Sequence, residues 1–119
     1  MNTQRVSVVL SSDATAVVVT AADHTLVRVR GEVDERAAVT CGTLVDLVSE
    51  AGLPVQVDLS GVTLFPAAGV SWLVRLYQSE VDVDVVAASG AVREVLDACG
   101  IPLVARAGGL PPPRHAGAF

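Results

Sequence analysis

The first third of the chain contains short runs of β-branched residues, and in the last of these runs apolar and polar residues alternate with the two-residue period of a strand. Residues 5–10, 15–20 and 24–33 are short runs of this kind and are rich in valine. In the third run, Val29 is expected to face the interior while the neighbouring arginines face solvent. With a turn at residues 22–24, the pattern predicts antiparallel strands.

After this region the apolar period lengthens to that of a helix. Asp34 stands where an N-cap belongs, and Gly52 followed by Pro54 provides the stop. The apolar stripe of this helix is predicted to face inward, and it consists of Ala37, Cys41, Leu44, Val45, Val48 and Ala51.

The rest of the chain alternates short apolar strands with two more helices. A turn is predicted at Ser60-Gly61, a helix begins near Pro66, and another runs from Ser89 to Gly100. The predicted strands are residues 55–59, 81–88 and 101–105. The residues predicted to face inward are Val70, Leu73, Val74 and Tyr77 in one helix, and Val92, Val95, Leu96 and Cys99 in the other. Ala68, Ser71, Trp72, Arg75 and Ser79 are predicted on the outer face.

These elements predict one α/β domain with a mixed, mainly parallel sheet and helices packed against it. The predicted order is β-β-α-β-α-β-α-β, which requires right-handed crossovers between the parallel strands. The domain is expected to span residues 1–107. Residues 108–119 are rich in Gly and Pro and are expected to form a flexible tail.

Composition narrows the classes of function. The net charge is −5, and the eight basic residues are all Arg and form no cluster, which argues against nucleic acid and anionic membranes. No apolar run approaches the ~20 residues of a membrane span, and the start of the chain does not resemble a secretory signal. The sequence therefore predicts a cytoplasmic protein without membrane insertion.

The residues that could carry chemistry are few. Cys41 and Cys99 are predicted to be small buried hydrophobic residues, although a redox-sensitive disulfide between them is left open. His24 and His115 have no second ligand at a useful spacing, and no catalytic triad or phosphate loop is present. We therefore expect no enzyme activity, no metal and no cofactor.

Three motifs resemble those of the STAS domain, the fold of anti-sigma-factor antagonists. They are GEVD at residues 31–34, VDLSGVTLFPAAGV at 57–70 and AVREVLDACGI at 91–101. Together the resemblance covers residues 14–105. The chain departs from the family by being shorter between Arg75 and Val85 and by lacking an apolar periodic segment after Ala107.

The resemblance implies a serine at the mouth of the second helix that a kinase-like anti-sigma factor phosphorylates. Ala68 occupies that position here, and Pro66 stands where the family has Asp. A phosphate would add about −1.5 to −2 charges to the surface that meets the partner. Because Ala68 has no hydroxyl, the resemblance implies a surface that stays in its unmodified form.

By the same resemblance, the partner-binding residues are Asp34, Phe65, Pro66, Ala67, Ala68, Gly69, Ser71, Trp72 and Arg75. Trp72 is predicted to be an exposed contact beside Arg75, and the alternative is that it covers core groups at the helix edge. Asp34 is predicted to be an N-cap, a contact beside the binding surface, or both, since the two roles can coexist. Ser71 is the best substitute phosphorylation site on geometry alone.

The leading functional hypothesis is a non-catalytic anti-sigma-factor antagonist that binds an anti-sigma factor through the second helix and its preceding loop. One alternative is a STAS subunit of a lipid transporter or scaffold complex. Another is a module that senses a small anion at the uncapped N-terminus of the second helix. Formation of a homodimer is left open by the sequence.

Overall fold

The computed structural model of the chain describes residues 3–103, in which five strands and three helices alternate. In chain order they are β1 (Gln4–Ser11), β2 (Ala14–Thr20), β3 (Thr25–Glu32), α1 (Glu35–Ala51), β4 (Val55–Leu64), α2 (Ala67–Tyr77), β5 (Val83–Ala88) and α3 (Gly90–Cys99).

The strands form one mixed sheet in the order β1-β2-β3-β4-β5. β2 is antiparallel to both of its neighbours, whereas β4 is parallel to β3 and β5. The crossovers that contain α1 and α2 advance across the sheet in the same direction. Right-handed connections therefore place these two helices side by side on one face.

The predicted fold class is confirmed, with differences in the order of elements. Three strands precede α1, so the observed order begins β-β-β-α rather than β-β-α. The last predicted strand is reduced to a single parallel bridge between Val85 and Leu103. The predicted domain end at residue 107 and the predicted tail at 108–119 lie outside the described residues.

The predicted turn at Ser60-Gly61 is wrong, because β4 continues to Leu64. Asp58 Oδ1 accepts hydrogen bonds from the Ser60 backbone N–H (2.9 Å) and hydroxyl (2.6 Å), a local arrangement also typical of turns. Here the strand continues, and its pairing with β3 and β5 shifts register beside Asp58. Val62 returns to the core, so pairing resumes beyond the shift.

The GEVD motif needs glycine at its first position. Gly31 has a φ of 96°, and a Cβ built there would lie 2.0 Å from the backbone oxygen of Asp13. Only glycine adopts that backbone without strain and leaves room for the neighbouring turn. The next residue, Glu32, donates its N–H to the same Asp13 oxygen at 3.0 Å, which fixes the path into α1.

Two helices begin with a side-chain cap, and α2 does not. Asp34 Oδ1 accepts the N–H of Ala37 at 2.8 Å, which confirms the predicted N-cap of α1. Ser89 Oγ accepts the N–H of Val92 at 3.3 Å and donates to the Val62 carbonyl at 2.6 Å. Pro66 precedes α2 and supplies no side-chain hydrogen bond.

Candidate functional site

A groove of about 400 Å³ runs between α1 and α2 near their N-termini. Because both helices follow parallel strands, their first turns lie at the same end of the sheet. The lining residues come from one face of each helix, and they are Glu35, Ala38 and Val39 from α1 with Ala68, Ser71, Trp72 and Arg75 from α2.

The GEVD segment brings the two helices together. The Val33 N–H donates to the Leu64 carbonyl at 2.9 Å, which ties the entrance of α1 to the end of β4. The Val33 side chain also lies close to Gly69, where an added Cβ would be 3.3 Å away. One short segment therefore sets the entrance of α1 against the first turn of α2.

The middle of the groove is apolar and its lining charges are of opposite sign. Val39 is 80% exposed, which is unusual for a valine, and small Ala38 and Ala68 flank it. Glu35 and Arg75 are the only charged residues that line the groove among the described residues. The groove can therefore accept an apolar side chain together with charged groups of either sign.

Arg75 lies against α1. A Cβ built on Gly42 would be 3.1 Å from a guanidinium nitrogen of Arg75, so glycine leaves room for the guanidinium to approach the helix. Glu35, by contrast, stands in the first turn of α1. Since Gly42 is seven residues, about two helical turns, further along, the two charges lie toward opposite ends of the groove.

Trp72 is not exposed, so that part of the prediction is wrong. Its side chain is 2% exposed, and it belongs to the core while also lining the groove. Its indole Nε1 has no hydrogen-bond partner within residues 3–103. The alternative prediction, that Trp72 covers core groups at the helix edge, agrees with this placement.

The buried face of α2 is rotated from the predicted stripe. It consists of Gly69, Trp72, Leu73 and Leu76, whereas Val74 is 39% exposed. Gly69 allows the helix to approach Phe65 closely on this face, since a Cβ on Gly69 would lie 2.8 Å from the Phe65 ring. Phe65 is buried, so neither residue of this pair offers a binding surface.

The structure thus divides the nine residues assigned to partner binding. Four of them line the groove: Ala68, Ser71, Trp72 and Arg75. Phe65 and Gly69 are core residues, and Asp34 is the cap of α1. Pro66 and Ala67 stand at the entrance of α2, where Ala67 is exposed and Pro66 is half-buried.

Sequence reasoning missed the contribution of α1, namely Glu35, Ala38 and Val39. A signal for Val39 was present, because it lies off the Ala37–Cys41 stripe and yet is apolar. A β-branched residue on the outer face of a helix has no core to fill and points to a contact surface.

The two cysteines occupy different environments. Cys41 is buried, and burial raises the pKa of its thiol to about 12. Cys99, predicted to face inward, is exposed because α3 buries only Val92 and Leu96. Both thiols are free.

Within residues 3–103 no group of three or more His, Cys, Asp or Glu could hold a metal ion.

The described helices are all too short or too polar to cross a membrane.

A mixed sheet carrying two parallel-running helices with an open, partly apolar groove defines a domain suited to binding another molecule. The matching family model is described as "Mlab, STAS domain" and covers residues 7–102. The chain therefore belongs to the STAS domain family, as its motifs predicted.

A solved structure supports the same assignment. The crystal structure of an anti-sigma factor antagonist from Mycobacterium paratuberculosis is 26% identical and superposes with a TM-score of 0.68. The likeness covers 78% of this chain and 84% of that one. No curated protein matches the chain. The domain is thus an antagonist-like STAS domain.

Proposed function

We propose that this domain is a non-catalytic regulator that binds an anti-sigma factor through the groove between α1 and α2. The observation that carries the proposal is the position of Ala68. It lines the groove at the first turn of α2, where the STAS resemblance implies a phosphorylated serine. The residue to which the resemblance assigns the switch therefore lines the open groove, which supports the proposal.

The side chain at this position decides whether the groove can be modified. Ala68 has no side-chain hydroxyl to accept a phosphate, so kinase activity of a bound anti-sigma factor leaves this residue of the groove unchanged. A phosphate on a serine there would place about −1.5 to −2 charges next to the partner. The domain is therefore a constitutive binder in this proposal, regulated by its amount rather than by phosphorylation.

The lining of the groove suits a helical segment of a partner. Apolar side chains spaced three or four residues apart on such a helix would cover Val39 and the two alanines. Glu35 and Arg75, toward opposite ends, would favour one orientation of that helix. Val39 supplies exposed apolar area that binding would remove from water.

The test is a binding titration with a kinase-like anti-sigma factor. Trp72 is the only tryptophan of the chain and lines the groove, so its fluorescence reports occupancy when the partner lacks tryptophan. Val39→Asp is expected to weaken binding at least tenfold, because a carboxylate would be desolvated in the apolar centre.

Val9→Asp is the matched control, since Val9 is also strongly exposed (73%) but lies on β1, away from the groove. It should bind as the wild type does. Equal affinity of both variants would show that the partner does not use the groove. No binding by the wild type would remove the proposal itself.

The missing switch is tested separately by intact-mass measurement after incubation with the anti-sigma factor and ATP. The wild type should keep its mass, and Ala68→Ser should gain one phosphate. A phosphate on the wild type at Ser71, which lines the same groove, would contradict constitutive binding.

A second candidate is a STAS subunit of a lipid transporter or scaffold complex. Ala68 also favours it, because a subunit held permanently in a complex needs no phosphorylatable residue at the groove. Binding to purified transporter or scaffold subunits, weakened by Val39→Asp and accompanied by no affinity for anti-sigma factors, would favour this candidate.

A further inference from the structure

The outer edge of β1 has no partner strand among residues 3–103. β1 spans Gln4–Ser11, stands first in the sheet and pairs only with β2. Half of the backbone N–H and C=O groups of an edge strand point away from the sheet, and another strand is the partner that satisfies them in a row.

This edge carries little of the usual protection against pairing, namely the single charge of Arg5 and an irregularity at one end. Residues 4–9 contain no Pro, Gly or Lys, and the only irregularity falls between Val9 and Ser11, at the far end. Val6 is 43% exposed and Val9 73% exposed, on opposite faces of the strand. At the other side of the sheet, Leu103 forms a bridge to β5.

We propose that β1 pairs with β1 of a second copy of the chain, joining two sheets into one about a two-fold axis. An antiparallel pair of identical strands is self-complementary, so a single edge supplies both halves of the interface. This association is independent of the groove and of the proposed partner.

The faces of the strand restrict the register. Val6 and Val8 pair with the buried residues Val18 and Ala16 of β2, so they point toward the helix layer. A two-fold axis normal to the sheet keeps the helix layers of both copies on one side. Directly opposed residues must then share a face, so the axis passes through a residue and not between two.

Two observations select Ser7 as that residue: the charge of Arg5 disfavours an axis at Val6, and the irregularity between Val9 and Ser11 disfavours an axis at Val8, whose ladder would run through it. With the axis at Ser7, Val6 meets the partner's Val8, and Arg5 meets the partner's Val9, which covers the two exposed valines. The two copies of Arg5 are then four residues apart along the ladder, roughly 14 Å. With the axis at Val6 they would be two residues apart, roughly 7 Å, and would repel.

A ladder of five residues is small, so the dimer is expected to be weak and dependent on concentration. Sedimentation equilibrium of the full chain should show a monomer–dimer equilibrium. Ser7→Glu would place two carboxylates opposite each other at the axis and should abolish the dimer. Ser12→Glu, at an exposed turn position beyond β1, is the control and should leave it unchanged.

Disulfide trapping tests the register. In a Cys99→Ser background, Ser7→Cys should form a cross-linked dimer under mild oxidation, since opposed Cα atoms in a ladder lie at about 4.5–5.5 Å. Cys41 is buried with a thiol pKa of about 12 and remains silent. Ser12→Cys in the same background is the matched control.

Cross-linking of Ser7→Cys well ahead of both Ser12→Cys and Val6→Cys would support the proposal. Faster cross-linking of Val6→Cys would overturn the axis at Ser7. A monomer at all concentrations, with Ser7→Cys no faster than Ser12→Cys, would overturn the dimer. Circular dichroism of each variant confirms that the fold is intact before it is compared.

Discussion

The two faces of α2 differ in what they contribute to the protein. The core face, with Gly69, Trp72 and Leu73, fixes where the helix lies against the sheet. The groove face, with Ser71 and Arg75, is exposed and contributes no side chain to the core. Ala68, half-buried, stands where the two faces meet at the first turn. The difference shows that the residues lining the groove are largely separate from the residues that pack the helix against the sheet.

The largest effect expected from this comparison is at Trp72. Trp72→Ala should lower the free energy of unfolding by about 3–5 kcal/mol, because it removes the largest fully buried side chain. Urea denaturation followed by circular dichroism measures the loss. Its neighbour Ser71 is the control, since Ser71→Ala on the groove face should change stability by less than about 0.5 kcal/mol. Equal stabilities would contradict the division of the helix into two faces.

A smaller loss is expected at Gly69. Gly69→Ala places a methyl group 2.8 Å from the Phe65 ring, so overpacking should cost about 1–3 kcal/mol. Phe65→Leu in the same chain should recover part of the Gly69→Ala loss, which a double-mutant cycle would detect. Gly90→Ala is the matched control, because a Cβ there meets nothing within 4 Å. Because alanine has the higher helix propensity, Gly90→Ala should be neutral or stabilising, and a cost there equal to that at Gly69 would show that the Phe65 ring is not responsible.

The start of each helix offers a third test. Asp34→Ala removes the hydrogen bond to the Ala37 N–H and should cost about 1 kcal/mol at neutral pH. Pro66→Asp at the uncapped start of α2 should raise the free energy of unfolding by up to about 1 kcal/mol, because the backbone there is already extended. Thermal unfolding compares the two, and destabilisation by Pro66→Asp would mean that this entrance does not accept a cap.

The smallest expected effect concerns the reactivity of the two cysteine thiols. At pH 8, a thiol with a pKa of about 12 is about one part in 10⁴ thiolate, so Cys41 should not react with iodoacetamide while the protein is folded. Exposed Cys99 should be alkylated without loss of stability. Peptide mass mapping gives the sites, and labelling of Cys41 at the rate of Cys99 would contradict the burial of α1.

The periodicity of the sequence predicted the helices and strands because the spacing of apolar residues in a segment follows from the backbone conformation of that segment. Strands at β1, β2, β3 and β5, the cap at Asp34 and the stop at Gly52 all follow from residues within a few positions. The GEVD motif was recognisable for the same reason, since Gly31 meets a local backbone requirement.

The rotation of α2 could not be derived in this way. Its apolar residues allow either Val70–Val74 or Trp72–Leu76 as the buried pair, and the helix period alone does not choose between them. Phe65 lies outside the helix, and its ring fills the space beside Gly69. The helix packs in the orientation that allows this contact, with Trp72 buried and Val74 exposed.

The sequence by itself determined the class of fold, the family and the missing hydroxyl at Ala68, since each depends on the identity or local spacing of residues. The tertiary structure alone decided that Val39 and Arg75 line one groove, and that β1 is an edge strand of the sheet formed by residues 3–103. Those features depend on which distant segments pack together, and packing is settled by the shape of side chains that the one-dimensional pattern records only as apolar or polar.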